Sequence, residues 1–135
     1  MVLKTNFRFP VLLDQRAIVS PDVSIGEGTF VGKRAVINVG TTIGKHVIIN
    51  TGAIIEHDAT IGDFAHISPG VMIGGHSVIG ENCQIGIGST IVPGVRIGNM
   101  SLIHPGSVVT HDIPDFAVAM GSPCEVITLR DDLNV

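Results

Sequence analysis

Tryptophan and tyrosine are absent from this chain, and charged residues make up only 15% of it. A disordered segment would be polar and charged, whereas 44% of these residues are hydrophobic, so that class is excluded. No uninterrupted apolar run approaches the roughly 18 residues of a membrane span, and no charged-then-apolar leader opens the sequence. Basic residues are scattered and the net charge is −4, which argues against a nucleic-acid-binding surface. Two cysteines, Cys83 and Cys124, form neither a disulfide framework nor a metal-ligand spacing, so a reducing cytoplasm is the expected home. At 135 residues the chain is long enough for one domain and too short for two.

What the chain has in abundance is Gly, Ile and Val, and these recur with a period. Stepping by six from Val19 gives Ile25, Val31, Ile37, Ile43, Ile49 and so on to Val109, sixteen consecutive positions that hold only Ile or Val. Four residues after each of these stands a small or modest side chain, such as Thr29, Ala53, Cys83 or Ser101. One residue after it stands Gly, Asn or another turn-tolerant residue in most repeats, as at Gly26, Asn38 and Gly62. A period of two would make a hairpin sheet and one of 3.6 a helix; six fits neither. Short strands joined by tight turns every six residues build a flat-sided coil, three sides to a turn of about 18 residues, each coil stacked about 4.8 Å above the last. The aliphatic ladder then points into the axis, and glycines supply the backbone conformations of the corners.

The expected fold is therefore all-β, a parallel β-helix of about five coils. Residues 1–18 are expected to form an opening segment and N-terminal cap that includes Phe7 and Phe9, residues 19–114 the repeat, and residues 115–135 a C-terminal tail. An unbroken register leaves no room for a long inserted loop, so a site has to be assembled from corner residues and from a neighbouring subunit. Cys83 falls on the small inward position and reads as core. Arg34 and Arg96 read as solvated corners.

Of the six histidines, His57 has the most suggestive surroundings, with Glu56 before it and Asp58 after it. A carboxylate beside an imidazole holds one ring nitrogen and raises the basicity of the other, as a general base requires; the same three residues also suit a polar corner with no chemistry. The stretch Ile55-Glu56-His57-Asp58-Ala59-Thr60-Ile61-Gly62-Asp63-Phe64-Ala65-His66-Ile67-Ser68-Pro69-Gly70 resembles the signature of hexapeptide-repeat sugar acetyltransferases, the enzymes of sialic-acid O-acetylation and UDP-amino-sugar N-acetylation. Ile85-Gly86-Ile87-Gly88-Ser89, Gly106-Ser107-Val108-Val109, Asp112-Ile113-Pro114 and Gly121-Ser122-Pro123 extend the resemblance, which covers roughly residues 7 to 127.

The resemblance implies a left-handed coil, a homotrimer, and transfer of an acetyl group from acetyl-CoA to an amino or hydroxyl group of a sugar or nucleotide sugar, with no metal cofactor. His57 would match the family's general base and Asp58 the acidic neighbour that tunes it. His66 would match a second histidine at the acetyl end of acetyl-CoA, and Gly75, Ile87 and Pro105 the lining of its groove. Gly75 follows His57, and Pro105 follows Ile87, at the interval of one full coil, so each pair should stack on one corner. His57 and His66, half a coil apart, should fall on different sides of the prism, which points to a site between subunits. Members of that family carry an upstream nucleotide-sugar domain, and Phe7-Arg8-Phe9-Pro10 stands where it would end. Pro105 offers no N–H, and Cys124 stands where the family has Ala. Two other readings fit the fold: a non-catalytic trimeric scaffold, and a zinc enzyme of the γ-carbonic anhydrase type, whose close His-x4-His pair is missing here.

Overall fold

The computed structural model describes residues 6–130, which leaves 1–5 of the opening segment and 131–135 of the tail outside the description. Seventeen two-residue strands, from β1 (Leu12–Leu13) to β17 (Val108–Val109), follow one another every six residues without a break. All pair in parallel with the strand one coil away, Ile49 with Ile67 and Ile67 with Ile85, for example. Three sheets result, one on each side of a β-solenoid of about six turns. The count exceeds the expected five because the stack runs on at both ends: Leu13 pairs with Val31 one strand before Val19, and Ile113 and Val118 pair with Ile97 and Leu102 beyond Val109. Among the described residues no helix is long and apolar enough to cross a membrane.

The inward aliphatic residues form three columns, and the twelve isoleucines from Ile37 to Ile103 are all essentially inaccessible. β-branched side chains suit such columns because their restricted rotamers stack on a pleated surface with little entropy lost. The small inward position has a second role. Thr29, Thr41, Ser77, Ser89 and Ser101 each donate their buried hydroxyl to a corner carbonyl on the coil above, at 2.7–3.1 Å. Each bond satisfies an acceptor that the narrow interior would otherwise leave without water.

The period fails near the C-terminus. Ile113 bridges to Ile97, and Leu102 pairs with Val118, so the final turn falls two positions short of a full coil. There the chain leaves the coil in an antiparallel hairpin of β18 (Ala117–Gly121) and β19 (Cys124–Leu129), in the segment read from the sequence as a tail. Ala117, Ala119 and Cys124 are fully buried and extend the core over the last coil. Phe7 and Phe9 stay largely exposed, with the Phe9 ring edge-on to His46 at 5.2 Å on the flank of the prism. Arg96 is a correction: it lies on β15 (Arg96–Ile97), pointing out from a sheet face, because the residue before each inward Ile always faces outward on its strand.

Candidate active site at two corners

His57 sits at the turn that follows β8 (Ile54–Ile55) and precedes β9 (Thr60–Ile61). The coils on either side pin this corner. From below, Thr41 Oγ1 donates to Glu56 O at 3.0 Å and the Asp58 N–H donates to Val39 O at 2.9 Å. From above, the His76 N–H donates to His57 O at 3.0 Å. Asp58 takes a left-handed conformation with φ of 57°, one that Asp tolerates better than most residues. That bend turns its carboxylate back onto the neighbouring ring, and His57 Nδ1–H donates to Asp58 Oδ2 at 3.0 Å. The proton on Nδ1 leaves the Nε2 lone pair free. A Cβ on Gly75, one coil above, would stand 2.7 Å from His57 Nε2, so glycine is what keeps that nitrogen uncovered. Both His57 and Asp58 are half exposed at 50%.

His66 lies elsewhere. It is the outward residue of β10 (His66–Ile67), in a column with Ile48 below and Gln84 above. Asn50 Nδ2 stands 3.3 Å from His66 Nε2, so the amide N–H donates there and the ring proton sits on Nδ1. An apolar groove of about 450 Å³ runs from this face onto the next corner, bounded by His66, Gln84 and Leu102 on one side and Pro69, Ile87 and Pro105 on the other. Pro69, Ile87 and Pro105 stand one above another, joined by the bonds Gly88 N–H to Pro69 O at 3.1 Å and Gly106 N–H to Ile87 O at 2.8 Å.

The six residues singled out from the sequence thus fall into two groups. His57, Asp58 and Gly75 share one corner; His66, Ile87 and Pro105 share the groove at another. Within one chain the groups do not meet. Sequence reading missed Pro69, although it lies one coil before Ile87, and His104, which lines the groove beside Pro105. It also missed His76, whose ring is edge-on to that of His57 with centroids 5.0 Å apart. The signal for His76 was its place one coil after Asp58. A larger recess of about 780 Å³ near Phe7, Phe9, Glu27 and Lys45 includes none of these residues.

The family described as bacterial transferase hexapeptide (six repeats) matches residues 40–75 and 76–111, and the hexapeptide repeat of succinyl-transferase matches residues 22–57. No curated protein matches the sequence. Among solved structures, the acetyltransferase domain of PglB from Neisseria gonorrhoeae FA1090 is 36% identical with a TM-score of 0.89, the match covering 90% of this chain and 60% of that one. The same domain is known in complex with acetyl coenzyme A. A perosamine N-acetyltransferase from Caulobacter crescentus, with one histidine replaced and in complex with CoA and GDP-perosamine, is 35% identical with a TM-score of 0.89, covering 90% and 58%. The chain therefore spans about three fifths of the length of these relatives. The N-acyltransferase AntD from Bacillus cereus, 19% identical with a TM-score of 0.83, shares the fold.

Proposed function

The chain belongs to the bacterial transferase hexapeptide family, and we propose that it moves the acetyl group of acetyl-CoA to an amino or hydroxyl group of a sugar or nucleotide sugar, with His57 as general base. The observation that carries the reading is the His57–Asp58 hydrogen bond of 3.0 Å, made while Nε2 faces open space under Gly75. The solved relatives, with acetyl-CoA or with CoA and GDP-perosamine bound, support this choice of donor and acceptor. So does the groove at His66, whose apolar lining suits a pantetheine arm in polarity.

In the proposed reaction the acceptor nitrogen or oxygen forms a bond to the thioester carbonyl carbon, and His57 Nε2 takes the proton the acceptor sheds. Asp58 stabilises the imidazolium that results, through the hydrogen bond already in place. When the C–S bond breaks, the ring returns the proton to the departing thiolate, so His57 ends as it began. His66 meets the acetyl end of the donor, and Ile87 and Pro105 flank its length.

His57 and His66 act on one acetyl group when they come from neighbouring subunits, which makes a homotrimer the working unit. The acceptor, the trimer and a cytoplasmic setting belong to the same proposal. The test is His57→Ala: acetyl transfer to an amino-sugar nucleotide should fall about 10²–10⁴-fold, the usual worth of a positioned base, while calorimetric acetyl-CoA affinity stays within a few-fold of the parent. Transfer at the parent rate would remove His57 from the mechanism.

A further inference from the structure

Solenoid stacking places each residue directly above its counterpart on the preceding coil, and at the His57 corner this puts His76 over Asp58. Both take the left-handed conformation, φ 57° and 60°, so their side chains leave the backbone on the same side. Asp58 Oδ2 thereby stands between two imidazoles, 3.0 Å from His57 Nδ1 and 3.9 Å from His76 Nε2. One donor atom from each of the three residues lies within 4.8 Å of the others. Donors around a tetrahedral cation at 2.0–2.1 Å are about 3.3 Å apart, so small side-chain rotations suffice to converge them. Glycines leave the surroundings clear: a Cβ on Gly40, one coil below, would overlap Asp58 Oδ1, and one on Gly94, above His76, would meet nothing within 4 Å.

We infer that His57, Asp58 and His76 form an inhibitory site for a borderline divalent cation such as Zn²⁺ or Co²⁺. Two imidazoles and one carboxylate are a donor set that selects Zn²⁺ or Co²⁺ over Mg²⁺ or Ca²⁺. The inhibitory character rests on the role proposed for His57. A cation on Nδ1 confines the remaining ring proton to Nε2, and a cation on Nε2 occupies the lone pair itself; in either case the ring no longer accepts a proton. The cation is thus a competitor of the proton in transit and has no part in the acetyl transfer. The three donors come from one chain, so the site exists in each subunit.

Calorimetric titration of the full chain with Zn²⁺ should show one site per chain, and Co²⁺ should give the intense visible absorption of a tetrahedral complex. His76→Gly removes one donor and keeps a residue that accepts positive φ; it should weaken Zn²⁺ binding by roughly tenfold or more with an unchanged thermal midpoint in the absence of metal. Asp58→Asn should weaken it likewise. Equal Zn²⁺ affinity in the parent and in both variants, or no binding by the parent, would overturn the site. Acetyl transfer by the parent should fall with bound Zn²⁺ and return with a chelator. Zn²⁺ binding as described in a chain with no transfer activity at all would overturn the enzymatic reading and leave the cation site standing.

Discussion

At position 83 a cysteine does what a hydroxyl does elsewhere on the same ladder: its Sγ lies 2.9 Å from Gly98 O, as Ser89 Oγ lies 3.0 Å from His104 O. Burial raises the pKa of this thiol and that of Cys124 above the ordinary 9.0, since neither fold environment solvates a thiolate. Both thiols should be inert to Ellman's reagent at pH 8 in the native protein and react fully once it is unfolded. Below about pH 9 both states hold the proton and the thiols leave stability unchanged; above it the unfolded chain loses protons first, so the denaturation midpoint should fall as pH rises past 9. Cys83→Ser should lessen that decline. Gly75 invites a second substitution. Its φ lies outside the positive range and alanine strains nothing there, yet the new methyl would stand 2.7 Å from His57 Nε2. Gly75→Ala should lower kcat tenfold or more by displacing the ring while the thermal midpoint holds, as paired kinetic and melting measurements would show.

At the scale of the element, two residues of strand and four of turn repeat until the register slips. The aliphatic ladder was legible because each rung carries the same shape at the same interval; Val19 to Val109 needed only counting. The final hairpin was not, because the last coil is shortened and Ala117, Ala119 and Cys124 then continue the core off the six-residue beat. The site was half legible. His57 and Asp58 are adjacent in sequence, and the matched intervals from His57 to Gly75 and from Ile87 to Pro105 were readable as stacks. His76 escaped because one coil from His57 lands on Gly75; His76 lies one position further, one coil after Asp58, and only the left-handed backbone at both residues brings their side chains together. The hydroxyl ladder ties the elements to the groove. Ser89 Oγ donates to His104 O and accepts from the Ser107 N–H at 3.3 Å, on the corner that carries Pro105. Ser89→Ala strands the Ser107 N–H in a dry interior, while His104 O keeps the Ser107 hydroxyl at 2.7 Å, and should cost about 1–3 kcal/mol by chemical denaturation, with weaker acetyl-CoA binding in proportion to how far the corner relaxes.

The whole molecule presents three unlike sides. One sheet turns Ser24, Thr42, Thr60, Val78 and Arg96 outward. The other two turn out mainly aliphatic and aromatic residues, each at least 40% exposed: Leu12, Phe30 and Ile48 on the side that also carries His66 and Gln84, and Ile18 and Met72 on the other. Two apolar sides and one polar side suit a chain that meets a copy of itself along two faces and water along the third. Light scattering should therefore give three times the 14.1 kDa chain mass. His57→Ala and His66→Ala chains, each inactive alone, should regain part of the activity when mixed and reassembled, because some interfaces then unite an intact His57 with an intact His66. Recovery absent from verified mixed trimers would place the centre within a single chain.

Because each turn lifts the backbone by one strand spacing and repeats its corners in place, the prism is graduated like a ruler. The Pro69–Ile87–Pro105 corner marks off two divisions, about 10 Å, along the groove. In such a scaffold, duplicating a whole rung would lengthen the channel by a fixed increment and leave the histidine corner below it undisturbed, so evolution can adjust reach and chemistry separately.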